Sequence, residues 1–236
     1  LLGHGAAIEK AVTIIATAFR RGGRLFYVGA GTSGRLGMLD ASECPPTYRT
    51  RPELVQGILA GGRKALWQSI EGAEDDAEAG AKEIKARRIT RPDVVVGIAA
   101  SGTTPFVWGA LAQAKQLGAS TVLVCFNPYL KIPRALRPRV TIAADLGPEV
   151  LTGSTRLKAG TATKLLLNIF TTLSMVRLGK VMSNLMIDVN PGNAKLRQRA
   201  VRIVTELTGA DSGRASAALH DSAWNVRKAV SRLTTP

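Results

Sequence analysis

The chain has 236 residues, 45% of them hydrophobic, and a formal net charge of +15. This is ample material for a core, yet no apolar run is long enough for a membrane span, and no signal peptide opens the chain. Two cysteines, Cys44 and Cys125, build neither a disulfide framework nor a metal motif, which fits a reducing cytoplasm.

The positive charge raises nucleic acid as a partner. The basic residues are scattered, however, aromatics are only 5%, and no helix-turn-helix or zinc finger accompanies them. The reading is a basic surface that favours small anionic ligands.

Residues 6–21 place Ala7, Ile8, Ala11, Val12, Ile15 and Phe19 on one helical face, closed by Gly22-Gly23. Leu25-Phe26-Tyr27-Val28 is a strand. It runs into Gly29-Ala30-Gly31-Thr32-Ser33-Gly34-Arg35, and a helix leaves that loop and stops at Pro45-Pro46. Strand, glycine-rich loop and helix start together suit an anion, because backbone N–H groups converge and the helix end is partly positive. The loop is neither a dinucleotide fingerprint nor a P-loop, since Arg35 replaces the lysine and no Ser/Thr follows it. Residues 54–60 form a second strand, 63–70 a short helix, and a further helix runs from near Glu74 to Arg87. Residues 93–100 are the clearest strand, unbroken in its apolar run and so covered on both faces. Ser101-Gly102-Thr103-Thr104-Pro105 follows, then a helix to about Gly118. Strands at 121–126 and 139–143 complete five. Alternation of strand and helix predicts an α/β fold, a five-stranded mainly parallel sheet flanked by helices. Residues 147–161 open a long helix through about Leu178, apolar nearly all round, which reads as a dimer interface or a central packing helix. From Asn193 the chain is helical and basic. Thr208-Gly209 then sets residues 1–207 apart from a small helical module, 208–236.

Three loops after strands are rich in hydroxyls: Gly31-Thr32-Ser33, Ser101-Gly102-Thr103-Thr104, and Gly153-Ser154-Thr155 with Arg156 and Lys158 nearby. In a parallel sheet such loops meet at the carboxyl edge, where a phosphate and sugar hydroxyls can be held. The substrate-binding candidates are Gly31, Thr32, Ser33, Ser101, Gly102, Thr103, Thr104, Ser154 and Lys158. The only histidines, His4 and His220, lie near the ends, so a Ser-His-Asp or metal mechanism lacks its usual parts. Carboxylates remain. Glu43 follows the glycine-rich loop and Glu74 sits in an acidic turn; a pair beside a phosphate can act as general acid and base if burial raises one of them.

Residues 28–48 (VGAGTSGRLGMLDASECPPTY), 71–75 (EGAED), 93–102 (DVVVGIAASG), 147–156 (GPEVLTGSTR), 158–161 (KAGT) and 184–189 (NLMIDV) closely resemble the N-acetylmuramic acid 6-phosphate etherase family. The resemblance spans about residues 10–207. It implies a sugar isomerase (SIS) domain, a homodimer, and cleavage of a D-lactyl ether to give N-acetylglucosamine 6-phosphate and D-lactate, with no cofactor. By the same resemblance Glu43 matches the family's proton donor and Glu74 its second catalytic glutamate. A segment of a few dozen residues is expected ahead of Leu1. Thr103 stands where many relatives have arginine, and the +15 charge is not a family trait. The alternative is a non-catalytic sugar-phosphate sensor similar to the glucokinase regulatory protein, which needs the loops but not the glutamates.

Overall fold

The computed structural model describes residues 1–189 and 191–234. Residues 235 and 236 of the expected C-terminal module lie outside the described residues. Compactness divides the chain into two units: Leu1–Ser42 with Pro52–Ser174, and Glu43–Arg51 with Met175–Pro236. The boundary read from the sequence lies further on, at Thr208-Gly209.

The first unit is built on five strands: β1 (Leu25–Gly29), β2 (Val55–Leu59), β3 (Val94–Ile98), β4 (Ser120–Cys125) and β5 (Val140–Ala143). Every pairing is parallel and the order is β2-β1-β3-β4-β5. All residues of β1 and β3 are buried, as their unbroken apolar runs require of strands covered on both faces. Helices α1 (Gly5–Arg20), α2 (Gly31–Tyr48), α3 (Ala77–Ala86), α4 (Pro105–Gln116) and α5 (Lys158–Arg177) cover them. Phe26, Val28, Val95 and Leu123 form a core with Phe106, Val107 and Leu111 of α4 and Ile84 of α3. Tyr27 faces the other way, its hydroxyl 3.4 Å from the Leu167 carbonyl of α5. α1 packs on β1, β3 and β5. The chain leaves β1 toward β2 and returns past it to β3. β1 and β3 therefore flank the point where the strand order reverses, the place where open parallel sheets bind ligands.

Three boundaries differ from the sequence reading. α2 does not stop at Pro45-Pro46 but carries both prolines inside it and ends at Tyr48. Proline removes a donor and crowds the carbonyl four residues back, so the Ala41 and Ser42 carbonyls lose their helical partners. Helical bonding then resumes, with Arg49 N–H donating to the Pro45 carbonyl at 3.0 Å. The expected helix at 63–70 is a 3-10 turn over Gly62–Leu66. The next helix starts at Ala77 rather than near Glu74, because the Asp76 carboxylate accepts from Ala79 N–H and fixes the N-terminus there. α5 buries Leu166, Leu167 and Phe170 and leaves Leu165 and Leu173 exposed.

A buried ion pair ties the amino ends of β1 and β3. Asp93, 1% exposed, accepts from Arg24 Nε, Nη2 and main-chain N–H and from Thr90. Burial works to raise this carboxyl, but the hydrogen bonds from Arg24 and Thr90 outweigh it and hold it below its ordinary value of 3.8. Its stabilisation is therefore complete above that pH and is lost as pH falls through the lower folded value. Asp93→Ala strands these donors and should cost about 3 kcal/mol in urea unfolding at pH 7, the low end for breaking a buried pair because Arg24 is partly exposed. A loss under about 1 kcal/mol would show that water replaces the carboxylate.

In the second unit, α6 (Ala194–Thr208), α7 (Ser212–Asp221) and α8 (Val226–Thr234) close around Ala200, Ile203, Leu219, Val226 and Ala229, joined by Ile187 and Val189. The Asn193 and Asp211 side chains cap α6 and α7, and Gly209, at φ +70°, ends α6 in the left-handed conformation glycine favours. Lys180 Nζ donates to the Tyr48 carbonyl at 3.1 Å and to Asp188 at 3.0 Å, which fastens the Glu43–Arg51 segment to this unit.

Candidate active site

The end of β1 and the first turn of α2 touch so closely that neither can carry a side chain. A Cβ on Gly29 would lie 2.7 Å from the Gly34 nitrogen, and one on Gly34 would lie 2.5 Å from the Gly29 carbonyl oxygen. Gly31, at φ +52°, makes the turn between them. Thr32 and Ser33 are half-buried in the first helical turn, and Gly31 is exposed. The N-terminus of α2 thus opens at the carboxyl edge of the sheet beside β3, as an anion site requires.

A cleft of about 140 Å³ opens beside this turn. Its walls are Ala30, Gly31 and Arg35, then Ala60 and Ala65 beyond β2, then Ser69 to Glu74. Arg35 builds the far wall, donating from Nε to the Ala65 carbonyl at 2.8 Å and from Nη2 to Gln68 at 3.2 Å. It fixes the 3-10 turn, a role its place after the glycine loop did not suggest. Of the residues singled out in the sequence, Gly31 and Glu74 meet in this cleft. The Glu74 side chain is exposed, but its main chain is anchored: its carbonyl accepts from Phe106 N–H at 2.9 Å, a donor otherwise orphaned at the start of α4.

That bond sets the Glu74 turn against the second hydroxyl loop. There the Ser101 and Thr103 hydroxyls are 2.7 Å apart and Thr103 N–H donates to Ser101 Oγ. Asn127 Nδ2 and Trp108 Nε1 hold the Ser101 and Gly102 carbonyls. Gly102, at φ +78°, packs where a Cβ would meet Leu130 Cδ2 at 2.5 Å. Ser101 and Thr103 are exposed, and the Thr104 side chain makes no bond to the helix it precedes.

The third segment returns from the sheet edge at β5 to α2. A Cβ on Gly160 would lie 3.5 Å from Thr32 Cγ2, so the first turn of α5 rests beside that of α2. Ser154 is half-buried in the loop before it. The Lys158 ammonium is directed onto the Pro148 carbonyl at 2.8 Å. Glu149 caps α5, accepting from Ala159 and Lys158 N–H, and those backbone bonds lower its carboxyl below the ordinary value. No local pattern singles out Glu149, since its partners lie nine and ten residues away.

Glu43 is exposed near the carboxyl end of α2, in the segment belonging to the second unit. One turn before it, Asp40 is 4% exposed and accepts from Tyr27 Oη at 2.9 Å, Asn168 Nδ2 at 2.6 Å and Thr171 Oγ1 at 3.1 Å. Burial raises its carboxyl above the ordinary range against the pull of these bonds. The network locks α2 to β1 and α5. Among the described residues no three His, Cys, Asp or Glu side chains are grouped to hold a metal ion. No described helix is long and apolar enough to cross a membrane.

Residues 7–115 match the family profile of the glucokinase regulatory protein N-terminal SIS domain. The phosphoheptose isomerase of Neisseria gonorrhoeae superposes with a TM-score of 0.55 at 17% identity, over 72% of this chain and 86% of that one. These matches place the parallel sheet and its helices in the sugar isomerase fold. Sequence similarity is much closer to two curated proteins named N-acetylmuramic acid 6-phosphate etherase. That of Gloeobacter violaceus is 59% identical over 95% of this chain and 72% of its own length. That of Symbiobacterium thermophilum is 55% identical over 96% and 74%. At this identity and coverage the chain belongs to the N-acetylmuramic acid 6-phosphate etherase family.

Proposed function

We propose that this chain is a carbon–oxygen lyase that cleaves the D-lactyl ether of N-acetylmuramic acid 6-phosphate. The observation that carries the reading is the identity to etherases across nearly the whole chain, joined to a cleft lined by both Glu74 and the glycine turn at Gly31. The phosphate sits on the N-terminus of α2, with Thr32, Ser33 and the Ser101–Thr104 loop as donors and Ser154 and Lys158 at the border.

The chemistry follows from the substrate. Opening the ring exposes an aldehyde at C1, which makes the C2 hydrogen acidic. Glu74 takes that proton. The C3–O bond breaks, and Glu43 protonates the departing lactate oxygen. Water adds at C3 of the 2,3-unsaturated aldehyde and C2 is reprotonated, giving N-acetylglucosamine 6-phosphate. One water is consumed and no hydride moves, so the reaction needs no redox cofactor. Both glutamates are exposed in the single chain; the desolvation that sharpens acid–base catalysis comes from bound substrate and a second copy. Exposed Leu165 and Leu173 on α5 support a homodimer. We assign catalysis and sugar-phosphate binding to residues 1–207, treat 208–236 as an accessory helical module, and place the enzyme in the cytoplasm, where its phosphorylated substrate is held.

The match to a glucokinase regulatory protein domain favours a second reading, a sensor that binds sugar phosphate without turnover. One experiment separates them: lactate release from N-acetylmuramic acid 6-phosphate in deuterated water. The expected result is one lactate per sugar with deuterium at C2 of the product. Lactate without deuterium overturns the elimination; binding without lactate supports the sensor.

A further inference from the structure

The opposite edge of the sheet carries a second, larger pocket. It has a volume of about 510 Å³, within the range of small-molecule sites, and lies at the amino ends of β3, β4 and β5. Arg21 enters it from the end of α1, Arg91 from the turn before β3, and Arg139 from the turn before β5. Three segments far apart in sequence thus each contribute an arginine to the lining of one cavity.

Among the described residues no carboxylate lines the cavity. The nearest acid in sequence, Asp93, is buried under Arg24 and Thr90. The side chains of Arg21 and Arg91 have no hydrogen-bond or ion-pair partner among the described residues. Among the described residues Arg139 meets only a neutral side chain, Ser120 Oγ at 3.2 Å. The blander account is that these arginines offset the negative ends of α1 and α4. Each helix end is worth roughly half a charge, so two leave about two of the three positive charges uncompensated. Arginine forks match phosphate oxygens in pairs. Between them Ile14 and Pro92 supply an apolar wall that a bare ion would not use.

We propose that this pocket is a second anion site, on the sheet edge opposite the etherase cleft, which takes a small phosphomonoester: its phosphate on Arg21, Arg91 and Arg139 and its organic body against Ile14 and Pro92. The site does not depend on the etherase reading.

The test is a titration of the isotope-labelled full chain with phenyl phosphate and with inorganic phosphate, followed at the Gly118 and Ser120 amides. Phenyl phosphate should shift both saturably and bind several-fold more tightly than inorganic phosphate. The exposed double variant Arg21→Gln/Arg91→Gln should weaken binding at least tenfold while the rest of the spectrum stays in place. Two results overturn the site: no shift at these amides, or a shift of undiminished affinity in the variant. Equal affinity for both probes overturns the phosphomonoester assignment, since the apolar wall would then contribute nothing.

Discussion

Glu74→Gln is expected to slow lactate release by about 10²–10⁴-fold, the usual contribution of one general acid–base group. The replacement keeps the size of the side chain and leaves untouched the main-chain bond from Phe106 that anchors it. What it removes is the capacity to take a proton. Wash-in of solvent deuterium at C2 should fall by the same factor, while affinity for N-acetylglucosamine 6-phosphate changes little. Glu43→Gln should behave differently: lactate release is lost but C2 exchange persists, because proton removal precedes departure of the lactate. Both rates can be read by proton NMR in deuterated water. Persistent exchange in Glu74→Gln with its loss in Glu43→Gln would reverse the two roles, and full activity in both variants would remove both residues from the chemistry.

The second large effect is expected at Gly109. A Cβ there would lie 1.9 Å from the Ala77 carbonyl oxygen of α3, and a Cβ on Gly80 would lie 2.0 Å from the Phe106 carbonyl oxygen of α4. The two helices cross backbone to backbone, and no side-chain rotation relieves a clash with a carbonyl. Gly109→Ala must part them. Overpacking usually costs about 1–3 kcal/mol, and a rigid obstacle belongs at the upper end. This corresponds to a fall of roughly 6–12 °C in Tm for a chain of this size. α3 begins three residues after Glu74 and α4 begins at the residue before Phe106, which holds the Glu74 carbonyl. Parting them should therefore lower kcat as well as stability. Gly5→Ala, where nothing lies within 4 Å, is the control and should leave Tm near its starting value. An unchanged Tm in Gly109→Ala would contradict the packing.

Each of the five strands read from the sequence is present within two residues at either end; β1 and β3, buried along their whole length, write themselves as uninterrupted apolar runs. The helix from Asn193 to Gly209 is equally plain, since both residues are local signals placed next to the element they bound. The departures from the sequence pattern depend on contacts distant in sequence. Pro45-Pro46 reads as a stop by propensity alone, yet tertiary packing carries α2 past it. The crossing of α3 and α4 at Gly80 and Gly109 has no local signature. The site divides the same way. The hydroxyl loops and Glu74 of the proposed site are local patterns, whereas Arg35 and Glu149 act on carbonyls and amides that only the fold brings near. The three arginines of the second pocket, spread over more than a hundred residues, carry no pattern at all.

The second unit is discontinuous along the chain, its first piece, Glu43–Arg51, lying far ahead of Met175. During synthesis that piece leaves the ribosome first and must wait while the intervening first-unit residues are made, on the order of ten seconds at ~5–20 residues per second. Lys180, which holds the Tyr48 carbonyl, is among the earliest of its later partners to emerge. A nascent chain can thus complete its parallel sheet while the segment bearing Glu43 still lacks its own packing. A chain halted before Met175 would therefore carry a finished sheet beside a Glu43–Arg51 segment with none of its own unit to pack on.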